Sequence, residues 1–103
     1  MAVLQIAVVP LGTGDTSLST HLAEIPRVLE ASGLRYQIHP MGTVVEGAAE
    51  ELFALAARLH EAGFAGGCRR VATHLSLDDR RDRDRPMEEK VRRLLEAAGE
   101  GAP

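Results

Sequence analysis

The chain opens on an alternation. Residues 2–9 place Leu4, Ile6 and Val8 on one side of an extended segment and Val3, Gln5, Ala7 and Val9 on the other. A run this apolar predicts a strand covered on both faces or nearly so. Pro10 to Gly14 break it. The period then lengthens: Leu18, Leu22, Ile25 and Leu29 recur at spacings of four, three and four, which predicts a helix. Pro26 within that pattern removes one backbone hydrogen bond and predicts a bend or a boundary. Ser32-Gly33 predicts the stop. Leu34, Tyr36 and Ile38 alternate with Arg35, Gln37 and His39 in a second, half-exposed strand. Pro40-Met41-Gly42 reads as a turn, and the β-branched Thr43, Val44 and Val45 as the returning strand, closed by Glu46-Gly47. Leu52, Leu55, Ala56, Leu59 and Gly63 share one face of a second helix, with Glu50 and Glu51 in its first turn. Gly63 to Gly67 interrupt the chain. A fourth strand sets Val71, Thr73, Leu75 and Leu77 against Arg70, Ala72, His74, Ser76 and Asp78. After Pro86, which suits a first turn, a last helix carries Met87, Val91, Leu94 and Ala98 as its apolar stripe.

The order βαββαβ plus a terminal helix predicts an α+β, ferredoxin-like sandwich with an additional C-terminal helix and a four-stranded antiparallel sheet. Right-handed crossovers predict the first and third strands side by side at the centre and parallel, with the second and fourth as edges. Both crossover helices then cover one face. The opposite face carries Val3, Gln5, Ala7, Val9, Gln37, His39, Ala72, His74 and Ser76, with His39 and His74 as candidate neighbours. A face meant only for water would carry more Lys and Glu. This one predicts self-association through the open face and the sheet edges. Residues 1–98 are expected to form a single domain and residues 99–103 a frayed end.

Composition narrows the partners. The formal net charge of −3 gives no electrostatic reason to expect nucleic acid or an anionic membrane. No apolar run approaches the roughly 20 residues that span a bilayer. The first residues carry no positive n-region, so no signal peptide is expected. The single cysteine, Cys68, excludes an internal disulfide framework and fits a reducing cytoplasm. Cys68 precedes Arg69 and Arg70, yet no histidine base is evident beside it, and an inert thiol is expected. His21, His39, His60 and His74 show no metal-ligand spacing, so no metal is expected. The run Asp78–Arg85 alternates in charge and reads as a solvated, self-neutralising loop or an inter-subunit ion-pair network.

The chemistry concentrates in PLGTGDTSLST, residues 10–20. The expected parallel arrangement brings Thr13, Gly14, Asp15, Thr16 and Ser17 near Glu46 and Gly47, at the carboxyl ends of the first and third strands. No Lys or Arg stands in the loop, and the two carboxylates would repel an anion, so a neutral or cationic ligand fits better than a phosphate. Two readings stay open. Asp15 or Ser17 caps the helix, and Gly12 and Gly14 supply positive φ; or the loop holds a ligand.

PLGTGDTSLS at 10–19, YQIHPMGTVVEG at 36–47 and DDRRD at 78–82 resemble the small thiamine-binding protein family, over Val3 to about Leu95. The resemblance implies a ferredoxin-like fold, a homotetramer built as a dimer of dimers, and binding of thiamine or its hydroxymethylpyrimidine moiety. Pro26 and the extended RDRDRP segment depart from the family pattern. On this reading Asp15 or Glu46 accepts from the exocyclic amine or faces the thiazolium. Thr13, Thr16, Ser17 and Thr43 donate to ring nitrogens. Met41 contacts a ring face. The expected topology separates Met41 and Thr43 from Asp15 within one subunit, so they would join the site across an interface or serve the hairpin. The resulting expectation is a cytoplasmic, non-enzymatic protein with no catalytic residues, which sequesters, carries or senses a thiamine-like small molecule. The alternatives are a small enzyme with Asp15 or Glu46 as general base, and a regulatory module for another metabolite.

Overall fold

Alternating aliphatic residues form four strands, and residues with a period of about 3.6 form the helices laid on them. A computed structural model describes residues 1–82 and 86–100, the side chain of Glu100 aside. The elements are β1 (Ala2–Leu11), α1 (Glu24–Ser32), β2 (Arg35–His39), β3 (Gly42–Gly47), α2 (Ala49–Ala62), β4 (Arg70–Asp79) and α3 (Met87–Glu100). The sheet order is β2-β3-β1-β4, the ferredoxin-like arrangement with one additional helix.

Every neighbouring pair in the sheet is antiparallel. The expected parallel pairing of the first and third strands is therefore corrected. The crossover through α1 makes β2 parallel to β1, but the hairpin folds β3 back between them, so β3 opposes both. Ile6 pairs with Thr43 and Val3 with Glu46. The end of β1 thus meets the beginning of β3.

α1 begins later than the leucine spacing predicts. Pro26 sits in its first turn, where no intrahelical N–H is needed; further inside a helix its ring would clash with the carbonyl of Leu22. Residues before it form a separate turn, in which Leu22 N–H donates to Leu18 O at 3.0 Å. The N-cap of α1 is Ala23, with no side-chain cap, so neither Asp15 nor Ser17 caps this helix. Gly12 and Gly14 do hold positive φ, 71° and 79°. Gly33 ends α1 at φ 71°.

The core lies between the two crossover helices and one sheet face. Leu4, Ile6 and Val45 meet Leu29, Leu52, Leu55 and Leu59 there, all buried. The other face is not wholly bare, because the first turn of α3 docks at one end of it. Met87 is buried, and its backbone N–H donates to Glu46 Oε2 at 2.8 Å. Glu46 is only 8% exposed, and Arg35 stands 3.6 Å from its other oxygen. Gln37 donates to Glu88, and Lys90 to Asp78, whose carboxyl is held below its ordinary range chiefly by that bond. Further along α3, Val91, Leu94 and Leu95 are 60%, 71% and 66% exposed. The helix continues through Gly99 to Glu100, and residues 101–103 of the expected frayed end lie outside the described residues.

His39 and His74 are not neighbours. They occupy β2 and β4, the two edges, with β3 and β1 between them. In the described part of the charge run Arg80 pairs with Asp82 at 2.7 Å and Arg81 with Asp79 at 3.0 Å, while Asp78 pairs with Lys90 of α3. Residues 83–85 of that run lie outside the described residues.

Candidate functional site

The mismatch in strand length shapes the site. β1 has ten residues and β3 six, and their pairing stops at Ile6–Thr43. Beyond that level, one side of β1 has no strand beside it. A cavity of about 510 Å³ fills the space. Its walls are Ile6 to Val9 of β1, Ile38 to Thr43 of the β2–β3 hairpin, Leu18 and Leu22 of the turn, Ile25 and Pro26 of α1, and Leu59 of α2. Among the described lining residues none is charged, and the polar side chains are His39 and Thr43. The volume lies in the range of small-molecule sites, which are mostly apolar with a few polar groups that fix orientation.

The antiparallel topology redistributes the predicted residues. Met41 and Thr43 line the cavity within one chain, so no second subunit is needed to bring them to this end of the sheet. Thr43 is 7% exposed and Met41 84%, one a buried hydroxyl on the wall and the other a flexible side chain at the surface. Thr13, Gly14, Asp15, Thr16 and Ser17 do not line the cavity. They form the loop that leads from β1 to the lining residues Leu18 and Leu22. Glu46 is at the other end of β3, paired across from Val3, where it anchors α3. The expected meeting of Asp15 with Glu46 and Gly47 does not occur, because that meeting required a parallel β3.

The loop is nonetheless built. Asp15 N–H donates to Thr13 Oγ1 at 3.1 Å, and the Thr13 hydroxyl bonds back to the Asp15 carbonyl at 3.3 Å. Asp15 Oδ2 lies 3.0 Å from His21 Nε2. The His21 ring is seated against Gly66, where any Cβ would come within 2.5 Å of Nδ1. Ser17 and Ser19 share a hydrogen bond at 3.2 Å. The loop therefore holds the Asp15 carboxylate largely in solvent, 61% exposed, paired with His21.

Sequence reasoning missed Ile6, Val8, Leu18, Leu22, Ile25 and Ile38 as lining residues. The signal that could have found them was the longer apolar run of β1 against the shorter β3. Cys68 donates to Gly63 O at 3.4 Å and takes no part in the site. Among the described residues no cluster of three His, Cys, Asp or Glu side chains could hold a metal ion. Among the described residues no helix is long and apolar enough to cross a membrane.

The fold is a ferredoxin-like sheet with a mostly apolar cavity beside the first residues of β3. The chain belongs to the thiamine-binding protein family, whose model matches residues 4–95. It is 40% identical to the UPF0045 protein YqgV of Bacillus subtilis, over 88% of this chain and 91% of that protein. It is also 40% identical to a UPF0045 protein of Methanothermobacter thermautotrophicus, over 93% and 98%. Among solved structures, a hypothetical protein of Methanocaldococcus jannaschii superposes with a TM-score of 0.80 at 27% identity, covering 90% of this chain and 94% of that one. A candidate thiamine biosynthesis or salvage protein of Thermotoga maritima gives 0.75 at 25% identity, covering 90% and 97%.

Proposed function

We propose that this chain binds thiamine or its hydroxymethylpyrimidine moiety in the cavity beside the first residues of β3, and carries, sequesters or senses it in the cytoplasm without catalysis. The carrying observation is a cavity of about 510 Å³ whose wall is uncharged and mostly apolar, with Thr43 and His39 as its polar side chains. A flat aminopyrimidine buries well against aliphatic side chains, at about 25 cal/mol per Å² of apolar surface removed from water. The permanently charged thiazolium stays toward solvent and Asp15. Thr43 supplies a hydroxyl that can donate or accept. The family match supports the ligand class.

Assembly belongs to the same reading. The exposed Val91, Leu94 and Leu95 and the weakly charged open sheet face support a homo-oligomer, a dimer of dimers, that covers them.

One observation favours a second reading. The Asp15–His21 pair, 3.0 Å apart, has the form of an oriented acid–base couple and would serve a small enzyme acting on the same ligand. Calorimetry of ligand-stripped protein with thiamine, hydroxymethylpyrimidine and thiamine phosphate tests the binding. Mass spectrometry of the recovered ligand tests turnover. The proposal predicts saturable heat with thiamine and unchanged ligand; folded protein that gives no heat with any of the three contradicts it.

A further inference from the structure

The cavity has a wall that no side chain provides. The β1–β3 pairing ends at Ile6–Thr43, while the β1–β4 pairing continues unbroken to Leu11–Arg70. In a regular strand the N–H and C=O of one residue point to the same side, and those of the next residue to the other. The Ile6 carbonyl points toward β3, since a Cβ built on Gly42 would lie 2.8 Å from its oxygen. The unbroken register with β4 carries the alternation onward. Val8 therefore turns its N–H and C=O to the β3 side, at a level β3 does not reach. The backbone hydrogen bonds outside the regular elements include none from Val8 among the described residues. Pro10 turns the same way but has no N–H. Of the five β1 residues beyond the ladder, Ala7 to Leu11, Val8 alone presents a donor and an acceptor together to the cavity.

We propose that the main-chain N–H and C=O of Val8 orient the ligand by pairing with the edge of an aminopyrimidine ring. A ring nitrogen accepts from Val8 N–H, and the adjacent exocyclic amine donates to Val8 O. The ring takes the place that a longer β3 would fill, as an added strand does at a sheet edge. In that plane one ring face meets Leu22 and Ile25, and the other meets the side where His39 stands. The inference rests on the proposed function and deepens it: the exocyclic amine is the group the site checks. An exposed edge in a mostly apolar cavity has a physical reason to be filled, because buried backbone groups without partners are costly.

Two-dimensional amide NMR with hydrogen exchange on the full chain tests it. The probes are hydroxymethylpyrimidine and its analogue with hydrogen in place of the exocyclic amine. With the first, the Val8 amide proton moves downfield and its exchange slows. The analogue binds about tenfold more weakly or worse, because it leaves the Val8 carbonyl without a partner. An analogue that binds as tightly as the amine overturns the inference, as does a Val8 amide that exchanges equally fast bound and free. In either case the aminopyrimidine still binds, so the proposed function stands. Absence of binding by both probes and by thiamine, with the spectrum of a folded chain, overturns the two together.

Discussion

Gly42 is the first residue of β3 and lies in the cavity wall. Its φ of 153° is a conformation that side chains rarely adopt, and a Cβ there would press within 2.8 Å of the Ile6 carbonyl oxygen. Gly42→Ala is expected to cost about 1–3 kcal/mol, read as a lower urea midpoint with an unchanged slope. Under the proposed function Asp15 contributes through its charge alone. Asp15→Ala is expected to weaken thiamine by about two- to fivefold, the scale of an exposed ion pair, and to leave neutral hydroxymethylpyrimidine almost unaffected. Equal losses for both ligands in calorimetry would put Asp15 against the pyrimidine and contradict the arrangement. Met41 and Thr43, which the family resemblance offered as contacts across an interface or as hairpin residues, line the cavity within one chain. Ile6, Val8 and Leu22 were not legible as site residues. An aliphatic residue in an apolar run carries the same pattern whether it faces the core or a cavity.

At the scale of elements, alternation identified which residues share a face of each strand, and the 3.6-residue period placed α2 well. Neither pattern carries strand direction, and the direction of β3 decides which of its ends meets the end of β1. That one reversal moved Glu46 away from Asp15 and brought Met41 and Thr43 to the site. Glu46 now has a different task, because it accepts the N–H of Met87 and faces Arg35. Glu46→Ala is expected to lower stability by about 1–3 kcal/mol, the cost of stranding buried partners. Hydrogen exchange should show faster exchange in the first turn of α3. Thiamine affinity should not change, since the cavity lies at the other end of the sheet. Lost affinity in a folded Glu46→Ala protein would contradict the placement of the site.

The whole molecule presents two incompletely covered surfaces: the weakly charged open sheet face, partly roofed by the start of α3, and the apolar stripe along the rest of that helix. Their burial by a second copy is expected to appear as a mass above the 11.1 kDa of one chain in light scattering. Leu94→Glu is expected to reduce that mass while leaving the core intact; a wild-type protein that scatters as a monomer at micromolar concentration would refute the assembly. The ferredoxin-like fold was legible from element order, whereas the cavity depended on the unequal lengths of β1 and β3, which a linear pattern does not place side by side. The central claim is that the ligand sits beside the first residues of β3. Methyl NMR of the labelled chain during titration with thiamine tests this most directly. The account predicts shifts concentrated on Ile6, Val8, Leu18, Leu22, Ile25 and Ile38, with Val91, Leu94 and Leu95 unmoved. Shifts centred on α3, with the cavity methyls silent, would contradict it.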